Sequence, residues 1–226
     1  MKRIRRRRTL AILLTLALFA SAAYTLGWSS VFSVKQVIVL GAPTSSESDA
    51  IRSSINLGEK LARIEPRNLN STLKGFAWLK TSTISRNWMK GIVTIRVFTR
   101  TPVARKSGSL IDETGHIFTL PGKQKLALPV IEANSTSALA FAVDLLNLLP
   151  PEIRQTLISI EASGPRSARL KIQKAIFGKS RNLTILWGDL SNSDLKSRVY
   201  KALLALPENS KVQVVDVSAP HAPIVR

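Results

Sequence analysis

Few side chains in this sequence are suited to covalent or acid–base chemistry. The chain has two histidines and no cysteine. Without a thiol there is no cysteine nucleophile, no thiolate zinc site and no disulfide. His116 lies in a turn sequence beside Asp112, and His221 lies in the proline-rich stretch Ser218-Ala219-Pro220-His221-Ala222-Pro223. A Ser-His-Asp set needs a hydroxyl held against a base that a third group orients. Serines are plentiful here, and nothing marks one as activated. Gly178-Lys179-Ser180 matches the end of a phosphate-cradling loop, but the earlier glycine that such a loop requires is Gln173. The bland readings win in each case: His116 as a turn or strand residue, Gly178-Lys179-Ser180 as a basic hairpin tip, Asp112 and Asp216 as turn caps. Trp78, Trp88 and Trp187 read as core or hairpin packing. No catalytic residue, metal ligand or cofactor site is assigned, so the protein is read as a non-enzyme whose chemistry is non-covalent binding.

Charge is the strongest compositional signal. The net charge is +19, from 33 Lys+Arg and 14 Asp+Glu. Six of the basic residues, Lys2, Arg3, Arg5, Arg6, Arg7 and Arg8, crowd the amino terminus, where no acid occurs, which leaves the rest of the chain at +13. From Thr9 to Val34 there is no charged residue at all. A bilayer core about 30 Å thick needs roughly 20 apolar residues in a helix, a length that Thr9–Trp28 meets. Basic residues before the segment and none directly after it put the amino terminus in the cytoplasm. Tyr24 and Trp28 suit the far headgroup layer. The competing reading is a cleaved signal peptide with Ala20-Ser21-Ala22 as its cleavage site. The anchor is preferred because the uncharged segment continues past Ala22. Either reading carries the body out of the cytoplasm, so nucleic acid is not expected as a partner.

The elements that must position any binding surface are read from periodicity. Phe32–Leu40 alternates as a strand that stops at Gly41. Ser46 with Asp49 has capping-box spacing, and a helix carrying Ala50, Ile51 and Ile55 follows. A second helix opens at Pro66 with Leu69 and Leu73 on one face. Strands Trp78–Arg86 and Ile92–Phe98 close this β-α-α-β-β order near Pro102. Beyond it, Ser109–Asp112 and His116–Leu120 flank the turn Glu113-Thr114-Gly115. Thr136–Leu149 and Asn192–Leu206 read as helices. Leu157–Ser163, Ala168–Lys174 and Leu183–Trp187 read as an antiparallel meander. Val212–Val217 is the last expected strand, because the prolines after it cannot donate to a ladder. The fold class is α+β.

Several of these segments together resemble the FtsQ/DivIB family of bacterial cell-division proteins. Phe32-Ser33-Val34 running to Val39-Leu40-Gly41 is similar to the family's first POTRA strand. Arg86-Asn87-Trp88 before Ile92–Phe98 resembles its arginine-x-tryptophan-proline hairpin, with Met89 in place of proline. Thr99-Arg100-Thr101-Pro102-Val103-Ala104 resembles its glutamate-arginine-x-proline-valine-alanine junction, with Thr99 replacing the acid. Leu110–Phe118 is similar to its β-domain hairpin, and Val215-Asp216-Val217-Ser218-Ala219-Pro220 to its terminal strand.

The resemblance implies a single-pass protein of the bacterial plasma membrane, enriched at the division septum. Its parts would be a cytoplasmic tail at 1–8, a transmembrane helix at 9–28, a POTRA domain at 31–102, a mainly antiparallel β domain at 103–217 with flanking helices, and a C-terminal tail at 218–226. It implies a scaffold within the divisome that binds FtsB-like and FtsL-like bitopic proteins and helps control septal peptidoglycan synthesis. A partner strand would add beside the last strand, so the implied contact residues are Val212, Gln213, Val214, Val215, Asp216, Val217, Ser218, Ala219 and Pro220. The alternative is an anchored or secreted basic protein that binds anionic lipid or wall polymer, with Arg166, Arg169, Lys171, Lys174, Lys179 and Arg181 as the basic face.

Overall fold

The computed structural model describes residues 12–21, 24, 32–122, 124, 126–176 and 179–226. Residues 12–21 form helix α1, whose side chains are exposed. Among the described residues no helix is long and apolar enough to cross a membrane. The expected span Thr9–Trp28 extends past α1 on both sides, and residues 9–11, 22, 23 and 25–28 lie outside the described residues. So do Lys2, Arg3, Arg5, Arg6, Arg7, Arg8 and Trp28, the residues expected to set topology. The fold is α+β. The chain divides into two compact units, Met1–Arg100 with Leu120–Lys123, and Thr101–Thr119 with Gln124–Arg226.

The first unit contains β1 (Gln36–Leu40), α2 (Ser45–Arg52), α3 (Pro66–Leu73), β2 (Leu79–Asn87) and β3 (Ile92–Thr99). The sheet order is β1-β3-β2, with β1 parallel and β2 antiparallel to the central strand. Alternation in β3 buries Val93, Ile95 and Val97, and the helices supply buried Ile51, Leu69 and Leu73. Two local expectations shift. The cap of α2 is Thr44, whose hydroxyl accepts from Glu47 N, and not Ser46. Thr44-x-x-Glu47 has the same capping spacing two residues earlier. Glu47 then turns its carboxylate to Trp78 Nε1 at 3.1 Å, a partner that local spacing cannot reveal. The strand expected from Phe32 begins only at Gln36, because Ser33 makes an isolated bridge to Lys60 instead of joining the ladder.

The second unit is built on nine strands. They are β4 (Pro102–Lys106), β5 (Ser109–Asp112), β6 (Ile117–Phe118), β7 (Val130–Ala133), β8 (Leu157–Gly164), β9 (Ser167–Ile176), β10 (Lys179–Gly188), β11 (Val214–Asp216) and β12 (Ile224–Val225). Its helices are α4 (Thr136–Leu148), the single turn α5 (Pro151–Arg154) and α6 (Ser193–Ala205). The order is β12-β11-β10-β9-β8-β7-β4-β5-β6. Three neighbouring pairs are parallel, β10/β11, β7/β8 and β4/β7, and the others are antiparallel. A parallel neighbour needs a crossover, and α4 and α6 supply those for β7–β8 and β10–β11. Both helices feed one core. Leu139, Ala142, Leu145 and Leu146 of α4 meet Ile160, Leu170, Ile172, Leu183, Ile185 and Trp187 of the sheet, with Tyr200 and Leu204 of α6. Strands β4, β7 and β12 were not expected as strands. Each is five residues or shorter and is defined by its neighbours, not by a periodic run of its own.

Candidate functional site at the end of the nine-stranded sheet

The C-terminal end of the sheet is assembled from α6 onward. Gly188 ends β10 at φ +74, and Asp189-Leu190-Ser191 turns the chain into the helix. Asp189 accepts from Ser191 N and Oγ, and Lys196 reaches back with Nζ to Asp189 Oδ1 at 2.8 Å and Asp189 O at 2.9 Å. Lys196 is fully buried while Asp189 keeps half of its side chain in solvent. A buried ammonium is tolerable only when paired and hydrogen-bonded, and these two acceptors meet that need. The Lys196 hydrogen bond, followed by that of Ser191, holds the Asp189 carboxyl down at about 2. Tyr200 lies one turn further on, with its hydroxyl pushed above the usual phenol range by burial. After Ala205 a 3-10 turn, Pro207–Lys211, is fixed by Asn209 Nδ2 donating to Leu203 O at 2.8 Å. The chain then returns to the sheet as β11.

Strand β11 lies parallel to β10, with Val214, Val215 and Asp216 opposite Thr184, Ile185 and Leu186. Thr184 N donates to Gln213 O, and Val217 N donates to Leu186 O. Val215 and Val217 are fully buried, so their side chains belong to the core. Asp216 accepts from Ser218 N at 3.0 Å and Ser218 Oγ at 2.6 Å, the turn-capping role expected of it. Ala222 N donates to Ala219 O, and the chain doubles back.

The expected open edge on β11 is occupied by the chain's own final residues. Strand β12 pairs antiparallel with the outer side of β11, Val215 opposite Val225 and Asp216 opposite Ile224. Val214 N donates to Arg226 O at 2.8 Å, and Arg226 N donates to Val214 O at 3.0 Å. Gln213 N also donates to Arg226 O. Of the nine residues expected to receive a partner strand, Val212 and Gln213 precede β11, Val214–Asp216 are covered on both sides, and Val217–Pro220 form the connection to β12. On this side the edge of the sheet is β12. In an antiparallel pair, hydrogen-bonded and non-bonded residue pairs alternate. Val214 and Arg226 exchange both bonds, so Val225 N–H and C=O point away from β11 toward whatever lies outside. Ile224, on the face opposite the core, is 56% exposed. Sequence reasoning missed β12 because its signal is two apolar residues behind Pro223.

The face of the sheet away from α4 and α6 leads up to this edge. Register places Glu132, Glu161, Arg169, Leu186, Asp216 and Ile224 in one row across β7 to β12. A groove of about 420 Å³ runs along it, lined by Glu161, Arg169, Leu186, Gly188, Asp216 and Ser218 among others. A Cβ on Gly188 would stand 2.9 Å from Ser218 Cβ, so the groove floor needs a glycine where β10 ends. The basic cluster on this face is partly neutralised. Lys171 and Arg169 both pair with Glu161, and the Lys171 hydrogen bond is the first cause that lowers the Glu161 carboxyl below its usual range. Lys174 is not on this face: it alternates with Arg169 and Lys171 along β9, follows buried Leu170 and Ile172 on the helix-covered side, and lies over the Tyr200 ring of α6. Residues 177 and 178 lie outside the described residues, and Lys179-Ser180 begin a strand, not the helix that a phosphate-cradling loop requires.

The candidates for acid–base chemistry are placed in turns. Asp112 is buried and accepts from Thr114 N, Thr114 Oγ1 and His116 N, which makes it the organiser of the β5–β6 turn. His116 and His221 are exposed. Trp78 and Trp187 are core residues, and Trp88 stands half-exposed at a hairpin with Arg86 over its ring.

Two likenesses to known proteins bear on the site. A family model described as cell division protein FtsQ/DivIB, C-terminal, matches residues 103–218, just over half of the 226 residues. A relative named cell division protein FtsQ, from Salinibacter ruber, is 24% identical over 145 residues, 61% of this chain. The match spans 55% of that relative's length.

Proposed function

Because the chain belongs to the FtsQ/DivIB family of cell division proteins, we propose that it is a non-catalytic scaffold of the division site. In this reading it is a single-pass protein of the bacterial plasma membrane, with residues 1–8 cytoplasmic, 9–28 spanning the bilayer and the rest outside. Residues 31–102 act as a POTRA domain and 103–217 as the β domain. The partners are FtsB-like and FtsL-like bitopic proteins of the septum, and the assembly regulates septal peptidoglycan synthesis.

One observation carries the binding mode. The nine-stranded sheet ends on a two-residue strand whose Val225 N–H and C=O point outward, with the exposed Ile224 side chain beside them. An incoming strand gains main-chain hydrogen bonds at such an edge and side-chain specificity from the face beside it. The row from Glu161 and Arg169 to Asp216 offers charges of both signs to that strand. This moves the docking position from Val212–Val217 to the strand that covers it, and Ser218, Ala219 and Pro220 become the loop that holds the new edge in place.

Val225→Pro removes the outward donor and trims a side chain that packs against the core opposite Val215, while leaving Val215 and Val217 themselves unchanged. Capture of the bitopic partners by the full chain in membranes should fall about tenfold, the equivalent of one lost hydrogen bond. Unchanged capture by a variant with a wild-type circular dichroism spectrum overturns the edge. The +13 charge outside the amino-terminal cluster favours a second reading, in which the body binds anionic polymer. Binding of that kind collapses between about 50 mM and 500 mM salt and ignores Val225→Pro.

A further inference from the structure

We infer that the end of the first unit that bears Leu57 and Met89 is a foot that rests on an anionic bilayer surface. The inference relies on the proposed reading that residues 9–28 span the membrane. Met89 is 88% exposed in the β2–β3 turn, and Leu57 is 70% exposed in the loop after α2. A single exposed apolar side chain is ordinary on a protein surface. These two share one end of the unit, and the chain enters the unit between them.

The lacing is specific. Gly58 N donates to Val34 O and Val34 N to Glu59 O, both at 2.8 Å, while Leu61 N donates to Phe32 O at 2.9 Å. On the other side Lys35 N donates to Gly91 O at 2.8 Å. Gly91 has φ +69, and a Cβ there would lie 2.7 Å from Ser33 O, so the turn and the incoming segment touch backbone to backbone. The Phe32 ring meets Trp88 edge-on with centroids 6.3 Å apart. Segment 32–35 is therefore gripped by the two loops whose tips carry Leu57 and Met89.

Reach decides what those tips meet. Trp28 stands four positions before Phe32. Four residues extend at most roughly 14 Å. A span that ends at Trp28 keeps the gripped segment, and both tips with it, within headgroup distance of the bilayer. The charges nearby suit that surface. Lys35 and Lys90 are exposed, Lys60 is half-buried and Glu59 is the acid among them. Apolar tips enter the headgroup layer while lysines stay at the level of anionic phosphates.

The absence of cysteine permits a direct test. The full chain is reconstituted into vesicles of phosphatidylethanolamine and phosphatidylglycerol, with one fluorophore on Met89→Cys, Leu57→Cys, Ala77→Cys or Ala17→Cys. Ala77 is exposed at the opposite end of β2, where the strand starts. Headgroup-nitroxide lipid should quench the labels at positions 89 and 57 at least threefold more than the label at 77. Met89→Asp should reduce quenching at position 57 by about half, and so should replacing phosphatidylglycerol with phosphatidylcholine. If positions 89 and 57 behave like 77 while acyl-chain nitroxide still quenches the label at 17, the foot is refuted and the span stands. If the label at 17 escapes acyl-chain quenching, the span itself fails and the inference goes with it.

Discussion

The two edges of the nine-stranded sheet follow one plan and differ in how firmly it is executed. Each ends in a two-residue strand folded back by an aspartate-capped turn, β6 behind Asp112 and β12 behind Asp216. At the first edge Asp112 is 3% exposed and receives three donors. Its turn spans Glu113–His116, Gly115 supplies the positive φ, and Asn147 Nδ2 ties Glu113 O to α4. At the second edge Asp216 is half-exposed and receives two donors, both from Ser218. Its connection runs through Val217–Pro223 and includes two prolines. A buried polar group with every donor engaged stabilises more than an exposed one, and a short turn leaves less entropy to lose than a long one. The β6 turn is thus the more firmly held, and β12 is the edge strand that peels away more readily.

Breaking the firm edge should have the largest effect. Asp112→Ala strands three donors and should cost about 3 kcal/mol of unfolding free energy, read by urea denaturation of the second unit in the full chain. An undisturbed stability would remove the contrast between the edges. Gly188→Ala should cost about 1–2 kcal/mol, since φ +74 strains the alanine and its Cβ meets Ser218. Its distinguishing readout is faster hydrogen exchange at Arg226 N, which donates to Val214 O, with the β5–β6 amides unchanged. Equal acceleration at both edges would count against a local cause.

Asp216→Ala is the gentler counterpart of Asp112→Ala and should cost about 0.5–1 kcal/mol, because solvent replaces much of what Ser218 loses. Partner capture measured beside stability then tells whether the loop matters for docking beyond its share in folding. The smallest effect is acid loosening of the β12 side. Asp189 titrates near 2 in the folded chain, below an ordinary carboxylate near 3.9. Its contribution is complete above about pH 4 and is lost as the pH falls toward 2. Amides at the start of α6 and in β11 should lose protection over that window ahead of those in β5 and β6, and Asp189→Asn should flatten the difference.

Much of the fold was legible from residues. The 3.6-residue spacing of Leu139, Val143 and Leu146 marked α4, and that of Leu195, Val199 and Leu206 marked α6. Pro150-Pro151 stopped the first of these helices, and the alternating runs of β8, β9 and β10 needed no partner to be seen. Asp112 and Asp216 were read as turn caps, and the structure gives them that role. Local pattern failed where pairing decides. The Thr44 cap lost out in reading to Ser46 because both carry an acid three residues on. Strands β4 and β7 are too short to show a period, and they exist because their neighbours complete them.

By itself the sequence determined the α+β class and the family, because composition, periodicity and short motifs are local properties of the chain. Which strand forms the sheet's outer edge was decided only in three dimensions. Val214 and Arg226 lie twelve positions apart, joined by a proline-containing loop, and nothing in either residue names the other. Their two hydrogen bonds form because α6 returns the chain beside β10 and leaves one side of β11 unpaired, a vacancy the last three residues then fill.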